Sequence, residues 1–275
     1  MTTISILGCG WLGRQLADAL VAAGYHVKGS TTRETQRDVL RESGVEPYVL
    51  RFMPKLEGNP QDFFACDVLV VTIPPKPPIP QQDEQVYLEA LVHELYKRLE
   101  PATKLIVTSS TSVYAKRGML VDETDDVMPE SSRGQALRAY EQALQRCPVA
   151  ILRLAGLFGQ GRQPGRFLAG RINLAGAASP VNMVHGDDVV AIISQLITQL
   201  LADNDAVLED IFNVCADSHP TRQDFFTKAA ELMGLTPPTF SDEPAPYVLV
   251  NNQKLKRVLG YEYTYGDVLE ALTSR

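Results

Sequence analysis

Residues 3–13 have the sequence Thr3-Ile4-Ser5-Ile6-Leu7-Gly8-Cys9-Gly10-Trp11-Leu12-Gly13, in which a short apolar run meets three glycines at the spacing G-x-G-x-x-G. The first glycine permits a tight turn off a strand, the second lets backbone approach a pyrophosphate, and the third lets the next helix pack closely. A helical pattern follows over residues 12–23, with its N-terminal amides and dipole facing the anion. A second strand pattern follows over 25–29. This order favours a dinucleotide-binding loop over a bare glycine turn, with contacts from Gly8, Gly10, Trp11, Leu12 and Gly13.

Apolar strand candidates alternate with helical stretches through the first half of the chain. The strand candidates are 4–7, 25–29, 47–51, 68–73, 105–108 and 149–154, and the helical stretches are 12–23, 34–43, 83–99 and 134–146. Continuous apolar strands such as Val68-Leu69-Val70-Val71 suit a parallel sheet that is buried on both faces. The pattern predicts an α/β fold with a Rossmann-type, doubly wound parallel sheet, which binds ligands beyond the carboxyl ends of its strands where the strand order reverses.

The residues that follow the second strand bear on the choice between NAD and NADP. A NAD site usually places an acid there, but this chain has Ser30, Thr31, Thr32 and Arg33, with no acid before Glu34. Hydroxyls and a guanidinium suit a 2′-phosphate, which arginine binds as a fork. We therefore predict NADP as the cofactor, with NAD less favoured, and Ser30, Thr31 and Arg33 among its ligands. The alternative is that Ser30 and Thr31 cap the next helix and Arg33 is a solvated charge.

A proline-rich stretch, Pro74-Pro75-Lys76-Pro77-Pro78-Ile79-Pro80, follows the fourth strand. Because prolines fix φ and exclude helix, this stretch is expected to be extended and stiff. Its position at the carboxyl end of a strand suggests a rigid wall of the cofactor crevice, with contacts from Ile73, Pro74 and Pro75. A stiff connector is the alternative interpretation, and a polyproline ligand for a partner domain is a less favoured one.

A hydroxyl cluster, Thr108-Ser109-Ser110-Thr111-Ser112, runs straight on from the fifth strand and leads to Val113-Tyr114. In doubly wound sheets the catalytic groups lie at the carboxyl ends of strands, so these hydroxyls are candidates for the reaction site. The alternative is a turn whose hydroxyls bond to local backbone.

Four motifs, in order along the chain, resemble those of the extended short-chain dehydrogenase/reductase family, which includes nucleotide-sugar epimerases and dehydratases. They are Gly10-Trp11-Leu12-Gly13, Ser109-Ser110-Thr111-Ser112-Val113-Tyr114, Leu152-Arg153-Leu154-Ala155-Gly156-Leu157-Phe158-Gly159 and Val184-His185-Gly186-Asp187-Asp188-Val189. Within that family the chain looks most similar to the atypical YeeZ-like branch, which shares Gly161-Arg162-Gln163-Pro164-Gly165-Arg166-Phe167. The resemblance implies NAD(P) binding, with further cofactor contacts at Ser109, Leu154, Ala155 and Gly156.

The resemblance breaks at the family's Tyr-x-x-x-Lys pair, in which tyrosine is the acid/base and lysine lowers its pKa. Aligning Glu141 with the acid that usually follows the lysine puts Arg133 at the tyrosine position and Leu137 at the lysine position. Tyr140 lies elsewhere on this helix, with Leu144 four residues on. A tyrosine near its ordinary pKa of ~10 is a poor base at neutral pH.

Two hypotheses of different class follow. The first is an atypical NADP-dependent oxidoreductase or epimerase-type enzyme on a small-molecule carbonyl substrate, with Ser110 as a hydrogen-bond donor to the carbonyl. Its substitute proton donor would be Arg133, Tyr140, Ser110 or Ser112, although arginine is better at holding an anion than at moving a proton. The second is a non-catalytic dinucleotide-binding protein that senses redox state or scaffolds a partner.

The second half of the chain carries further charged candidates. Arginines recur on a glycine-rich segment, where Arg162 and Arg166 are expected to bind a phosphate or carboxylate of the substrate, or to be solvated and paired with surface acids. Arg153, inside an apolar strand, is expected to be paired and structural. Asp187 or Asp188 is expected to cap the next helix, with His185 packed and bonded to backbone.

The predicted organisation is discontinuous. We expect a dinucleotide-binding domain of residues 1–156 plus about 181–217, and a substrate lobe of about 157–180 plus 218–275. A last sheet strand is expected over 211–215, and a helix over 223–233 whose Thr221 and Asp224 have capping-box-like spacing. Helices 83–99 and 134–146 are where relatives often dimerise, so the chain is expected to be a monomer or homodimer.

Composition narrows the classes of function. The 275 residues are 45% hydrophobic and 21% charged, with a formal net charge of -7, which is typical of a globular protein and argues against nucleic acid as a partner. No stretch is long and apolar enough to predict a membrane span, and no basic leader is seen. Four scattered cysteines and four dispersed histidines predict reduced thiols, no metal site and a cytoplasmic location.

Overall fold

The computed structural model describes residues 1–52, 55–60, 62–73, 83–125, 127–129, 131–202, 207 and 210–274. The predictions for Pro74, Pro75 and the rest of the proline-rich stretch lie outside the described residues.

Strands and helices alternate along most of the chain. The strands are β1 (Thr3–Leu7), β2 (His26–Thr31), β3 (Glu46–Phe52), β4 (Leu56–Gly58), β5 (Val68–Val71), β6 (Lys104–Ser110), β7 (Leu120–Val121), β8 (Val149–Leu154), β9 (Gly156–Phe158), β10 (Met183–His185), β11 (Ile211–Val214) and β12 (Leu249–Val250). The helices are α1 (Trp11–Ala22), α2 (Arg37–Glu42), α3 (Glu84–Arg98), α4 (Ser132–Leu144), α5 (Gly165–Leu168), α6 (Gly186–Leu201), α7 (Arg222–Leu232), α8 (Gln253–Leu259) and α9 (Val268–Ala271).

Among the described residues, eight strands form one sheet in the order β11-β8-β6-β5-β1-β2-β3-β4. Strands β3, β2, β1, β5 and β6 pair in parallel, and β4 adds an antiparallel edge to β3. The amides of Ile151 and Ala155 donate to the carbonyls of Asp210 and Val214, so β8 and β11 are also parallel. From β1 the chain order runs outward in both directions, and the strand order therefore reverses beside β1. The predicted Rossmann-type, doubly wound fold is confirmed.

The sheet is buried on both faces, as its continuous apolar strands predicted. All four residues of β5 are 0% exposed, and successive side chains of a strand point to opposite faces. Both faces must therefore be covered, which only helices on each side can achieve in a parallel sheet.

The predicted elements are found within a few residues of their expected bounds. The stretch predicted as a helix over 34–43 begins with a 3-10 turn (Glu34–Gln36) before α2, and β5 ends before Ile73. The predicted cap of α7 is confirmed, since Thr221 Oγ1 accepts from the amide of Asp224 at 3.1 Å and donates to its carboxylate at 2.6 Å.

The predicted cap of α6 is wrong. The helix begins at Gly186, so Asp187 and Asp188 lie in its first turn. The capping acceptor is His185, whose Nδ1 accepts from the amide of Asp187 at 3.2 Å. Asp188 is 1% exposed, and its carboxylate accepts bonds from a tyrosine hydroxyl and two backbone amides: Tyr261 OH, Thr264 N and Tyr265 N. It therefore fastens the C-terminal segment to α6.

The described chain divides into two compact, discontinuous units. The first comprises residues 1–113, 129–152 and 190–211, and the second comprises 114–128, 153–189 and 212–275. The second unit takes in segments 114–128, 153–156, 181–189 and 212–217, which we expected in the dinucleotide-binding domain. Bonds within that unit explain the difference, because Tyr114 OH bonds to both Arg153 and Asn213, and β10 pairs with β9.

In the described part of the chain, no helix is both long and apolar enough to cross a membrane.

Candidate functional site

The glycine loop after β1 is fixed by hydrogen bonds from both neighbouring strands. Gly8 has φ +112°, which favours glycine, and its amide donates to Ser30 Oγ at 2.8 Å. The amide of Cys9 donates to the carbonyl of Ser30 at 2.7 Å. On the other side, Thr72 Oγ1 donates to the carbonyl of Gly8 at 2.7 Å. The loop is thus held between the ends of β2 and β5, beside the point where the strand order reverses.

Gly10 and Gly13 differ in the space around them. A Cβ added to Gly13 would lie 2.3 Å from the carbonyl oxygen of Gly8 and 2.7 Å from Thr72 Oγ1, so only glycine allows this contact between α1 and the loop. A Cβ added to Gly10 meets no heavy atom within 4 Å. The backbone at Gly10 is therefore open to a ligand, while Gly13 fixes the helix. The close packing at Gly13 agrees with its predicted role, and the approach of a pyrophosphate to Gly10 stays a prediction.

The start of α1 suits an anion. Its N-cap is Gly10, which makes no side-chain cap bond, and no acidic residue lies in the first turn. Trp11 and Leu12 are the first two helical residues, so the positive end of the helix dipole lies beside the glycine loop. The residues present therefore fit a dinucleotide pyrophosphate.

The predicted role of Ser30 needs correction. Its side chain is 3% exposed, and its hydroxyl accepts from the amide of Gly8 instead of facing solvent at the end of β2. Thr31 is 9% exposed, and its hydroxyl accepts from the amide of Arg33 at 3.3 Å. The alternative, in which both hydroxyls cap the next helix, is also not what forms, because Arg33 is the N-cap and makes no side-chain cap bond. Arg33 itself is exposed.

Ile73, predicted as a cofactor contact, lies against the glycine loop. A Cβ at Gly8 would be 3.0 Å from the amide nitrogen of Ile73 and 3.1 Å from its side chain. Thr72 was not predicted as part of this site. The signal for it was its position at the end of a buried strand next to β1, where a short hydroxyl can reach a loop carbonyl.

The predicted role of Ser109 as a cofactor contact also needs correction. Its side chain is 4% exposed, and its hydroxyl donates to Glu141 Oε1 at 2.6 Å. Glu141, on α4, is 3% exposed. Ser109 is therefore committed to an internal contact between β6 and α4, and its side chain is not directed at a cofactor.

Ser110 and Ser112 form the accessible part of the hydroxyl cluster. Their hydroxyl oxygens are 2.9 Å apart, and the amide of Ser112 donates to Ser110 Oγ at 3.2 Å. The turn packs on α4 at Gly134, where an added Cβ would lie 3.1 Å from the carbonyl of Ser112. The bond from the amide of Ser112 agrees with the interpretation as a local turn, and the role of these hydroxyls in a reaction stays a prediction.

Tyr140 is a core residue, contrary to its selection as a proton donor. It is 2% exposed, and burial raises the pKa of its hydroxyl far above the ordinary value. Leu137, at the position of the family's lysine, is 0% exposed. Arg133 extends toward α3, where its Nη1 is 3.7 Å from Glu84 Oε1, and both side chains are partly exposed. Helix α4 thus presents neither a tyrosine nor a lysine as a proton shuttle.

The cofactor contacts predicted at the end of β8 and just after it belong to the second unit. Leu154 and Ala155 are each 7% exposed, and the amide of Ala155 donates to the carbonyl of Val214 at 3.0 Å. Gly156 pairs with Met183, whose sulfur would lie 2.5 Å from an added Cβ. The close approach of β9 and β10 is therefore sufficient reason for glycine at position 156, and no ligand contact is needed to explain it.

The glycine-rich segment carries exposed arginines. Arg162 Nε donates to the carbonyl of Leu157 at 2.9 Å, and its guanidinium lies 5.9 Å from the ring centre of Phe167. Arg166 is exposed on α5. Arg162 is therefore held in place on the surface of the second unit.

Arg153 is paired and structural, as its place in an apolar strand predicted. It is 3% exposed and donates to Tyr114 OH at 2.7 Å. That hydroxyl lies 3.0 Å from both the carbonyl of Asp122 and Asn213 Oδ1, so Tyr114 is a structural junction. Burial raises the pKa of the Tyr114 hydroxyl, although the nearby Arg153 guanidinium acts to lower it.

Among the described residues, no group of three or more His, Cys, Asp or Glu side chains could hold a metal ion.

No protein-family model matches the chain. Protein YeeZ of Escherichia coli strain K12 is 36% identical over an alignment of 278 positions, which covers 98% of each chain. A solved structure of a functionally unknown conserved protein from Silicibacter pomeroyi DSS has a TM-score of 0.76 at 26% identity and covers 99% of this chain and 98% of that chain. The UDP-glucuronic acid 4-epimerase of Bacillus cereus, solved with NAD, has a TM-score of 0.75 at 16% identity, with 99% of this chain and 100% of that chain covered. The likeness to the epimerase is one of fold.

Proposed function

The chain belongs to the YeeZ-like branch of the extended short-chain dehydrogenase/reductase family, and we propose that it binds NADP and acts as an oxidoreductase or epimerase-type enzyme on an anionic or sugar-like carbonyl substrate. The observation that carries this proposal is the glycine loop, in which Gly8 and Gly13 are locked by close contacts while Gly10 opens to empty space. The open backbone at Gly10, at the start of a helix without a side-chain cap or first-turn acid, leaves room for an anionic group.

The preference for NADP is supported by the charges that follow β2. No acid stands where NAD would need one, and Arg33 is exposed at that point. The first acid, Glu34, is already engaged with Arg37 at 2.9 Å, so it opposes a 2′-phosphate less than a bare carboxylate would. Ser30 is left out of this proposal, because its hydroxyl is bonded to the glycine loop.

A bound nicotinamide would supply hydride transfer, and the chain would supply Ser110. A hydroxyl can donate one hydrogen bond and accept two. Ser110 Oγ accepts from the amide of Ser112, and its proton is available for a carbonyl oxygen when Ser112 donates the bond that joins the two hydroxyls. The exposed Ser112 is then the group through which water can replace a transferred proton.

Arg162 and Arg166 are proposed to bind an anionic group of the substrate. Arg162 is fixed by its bond to the carbonyl of Leu157, which reduces the conformational entropy that binding would cost. The guanidinium group suits a carboxylate or phosphate. The solved epimerase named above acts on a UDP-sugar acid, and a substrate of that general chemistry would present both anionic groups and a latent carbonyl.

A non-catalytic role in cofactor binding is the second candidate. It is favoured by one specific observation, namely that Leu137 and Tyr140 are both core residues of α4. The helix that carries the acid/base pair in the family therefore carries none here.

The deciding experiment measures binding and turnover in the same preparation. Titration with NADPH and NADH, followed by Trp11 fluorescence, tests the cofactor site, since Trp11 opens α1 beside the loop. NADPH oxidation is then measured against a panel of carbonyl compounds that includes sugar acids. Activity that falls in Ser110→Ala but persists in Ser43→Ala, which changes a half-buried serine elsewhere in the first unit, supports the enzyme. Tight binding with no hydride transfer across the panel supports the second candidate, and no binding of either nucleotide refutes both.

A further inference from the structure

Two arginines stand at the carboxyl ends of neighbouring strands, Arg33 just after β2 and Arg51 within the last two residues of β3. These strands pair in parallel up to Thr31 opposite Val49, and continuing this register two positions past the end of β2 brings Arg33 level with Arg51. Arg51 Nε donates to the carbonyl of Thr32 at 2.9 Å, which fixes its guanidinium against the end of β2. The sequence does not group these residues, because only strand pairing brings them together.

Neither arginine forms an ion pair with an acid of the described part of the chain. The other arginines of this region are paired along the chain, Arg37 with Glu34 at 2.9 Å and Arg41 with Asp38 at 2.6 Å. Within the described residues, Arg33 and Arg51 have no carboxylate within 4 Å.

The acid nearest to Arg51 in register is Glu57, which is its partner across β3 and β4. Arg51 does not form an ion pair with Glu57, since its Nε is directed at Thr32. The end of β2 thus carries two exposed positive charges.

We infer that Arg51 is a specificity-determining residue that binds the 2′-phosphate of NADP together with Arg33. The inference rests on the proposed NADP function and adds the residue that sets the preference. In a doubly wound sheet the adenosine ribose lies beyond the carboxyl end of the second strand. Because Nε of Arg51 is bonded to backbone, its two terminal nitrogens remain as a pre-organised fork, which is the geometry that guanidinium offers to phosphate oxygens.

The test is a comparison of nucleotide affinities in Arg51→Gln. Calorimetric titration with NADPH, NADH, 2′,5′-ADP and 5′-AMP separates the 2′-phosphate from the rest of the ligand. We expect NADPH and 2′,5′-ADP to bind about tenfold more weakly, the scale of one charge-assisted contact at an exposed site, while NADH and 5′-AMP change less than about twofold. The wild-type preference should also fall as salt rises. Arg41→Gln is the matched control, because it removes an arginine that already has a carboxylate partner.

The outcomes separate this inference from the proposed function. If wild-type protein binds NADPH tightly and Arg51→Gln binds it equally well, Arg51 is not a ligand and only the inference fails. Equal weakening of NADPH and NADH would also overturn it, since that points to a change in the fold of β3. Arg51→Lys, which keeps the charge and loses the fork, should fall between wild type and Arg51→Gln. If the wild-type chain binds neither nucleotide, the proposed function itself is wrong.

Discussion

Alanine at Gly10 and at Gly13 should separate the cofactor cradle from the fold. At Gly10 the added Cβ meets no heavy atom within 4 Å, so Gly10→Ala should cost the free protein only the weaker N-cap, about 0.5–1 kcal/mol. At Gly13 the added Cβ would lie 2.3 Å from the backbone oxygen of Gly8, a contact that requires α1 or the loop to shift. Such overpacking costs about 1–3 kcal/mol, of which the better helix propensity of alanine offsets up to about 1 kcal/mol.

NADPH affinity should fall in both variants, whereas stability should fall mainly in Gly13→Ala. In Gly10→Ala the methyl group occupies the space through which a pyrophosphate would approach the backbone, so NADPH binding should weaken at least about tenfold, or about 1.4 kcal/mol. In Gly13→Ala both stability and affinity should fall, because the loop that Thr72 and Ser30 hold in place is displaced.

Urea unfolding and a nucleotide titration on the same samples measure the two effects. The reasoning is refuted if Gly10→Ala binds NADPH like wild type, since the open side of the loop would then not face a ligand. It is equally refuted if Gly13→Ala unfolds at the wild-type urea midpoint, because the close contact would then not constrain α1.

Three further predictions concern side chains in and around the site. Ser109→Ala removes a hydrogen bond to a buried carboxylate and should lower the free energy of unfolding by about 1.5–3 kcal/mol without changing NADPH affinity; a change in affinity at unchanged stability would contradict its internal role. Tyr140→Phe should leave turnover and cofactor affinity unchanged, and a large loss of kcat alone would restore Tyr140 as a catalytic residue. Burial lowers the pKa of His185 and His219 below their ordinary 6.5, so the unfolded chain binds more protons and stability should fall as pH drops through about 6.5, by up to about 1.4 kcal/mol per pH unit for each histidine. Urea midpoints between pH 7.5 and 5 measure this slope, and His185→Gln should reduce it.

The sign of the His185 prediction depends on its contact with Asp187. The ring Nδ1 lies 3.6 Å from the carboxylate of Asp187, which would raise the pKa of the imidazole, but burial has the larger effect and lowers it. The same Nδ1 accepts a hydrogen bond from the amide of Asp187, which requires that nitrogen to be unprotonated. His185 is therefore neutral in the native state, and the contact is not an ion pair at neutral pH.

The fold was predictable because its signals are local. Glycine spacing, four continuous apolar residues in β5 and the Thr221–Asp224 cap each fix a structure within a few residues of chain. The site was less predictable because the hydrogen-bond partners of its side chains are distant in sequence and become neighbours only in the folded chain. A serine at the end of β2 has the same sequence signal whether it faces a ribose or bonds to Gly8, and the structure has the second arrangement.

The same limit applies to the acids and bases. Two adjacent aspartates after a strand predict a helix cap, yet Asp188 instead binds the C-terminal segment, whose position no local pattern reveals. Tyr140 was selected because it lies on the right helix, but helical position alone does not distinguish an exposed tyrosine from one that is 2% exposed. Arg51 was not selected because its relation to Arg33 depends on the register of β2 and β3.

The hydroxyl pair at the end of β6 bears on proton transfer in both directions of any reaction under the proposed function. Carbonyl reduction needs one proton at the oxygen, which Ser110 can donate while the exposed Ser112 and water restore it. Alcohol oxidation is the reverse of this step, so the proton leaves the alcohol by the same path through Ser110, Ser112 and water. Epimerisation through a ketone needs both steps in turn. Because α4 supplies neither the tyrosine nor the lysine of the family, this hydroxyl pair is the proton path on which the proposed function relies. Ser110→Ala should therefore lower kcat/KM for reduction of a carbonyl substrate by NADPH and for oxidation of the corresponding alcohol by NADP by the same factor, and unchanged rates in both directions would refute this role.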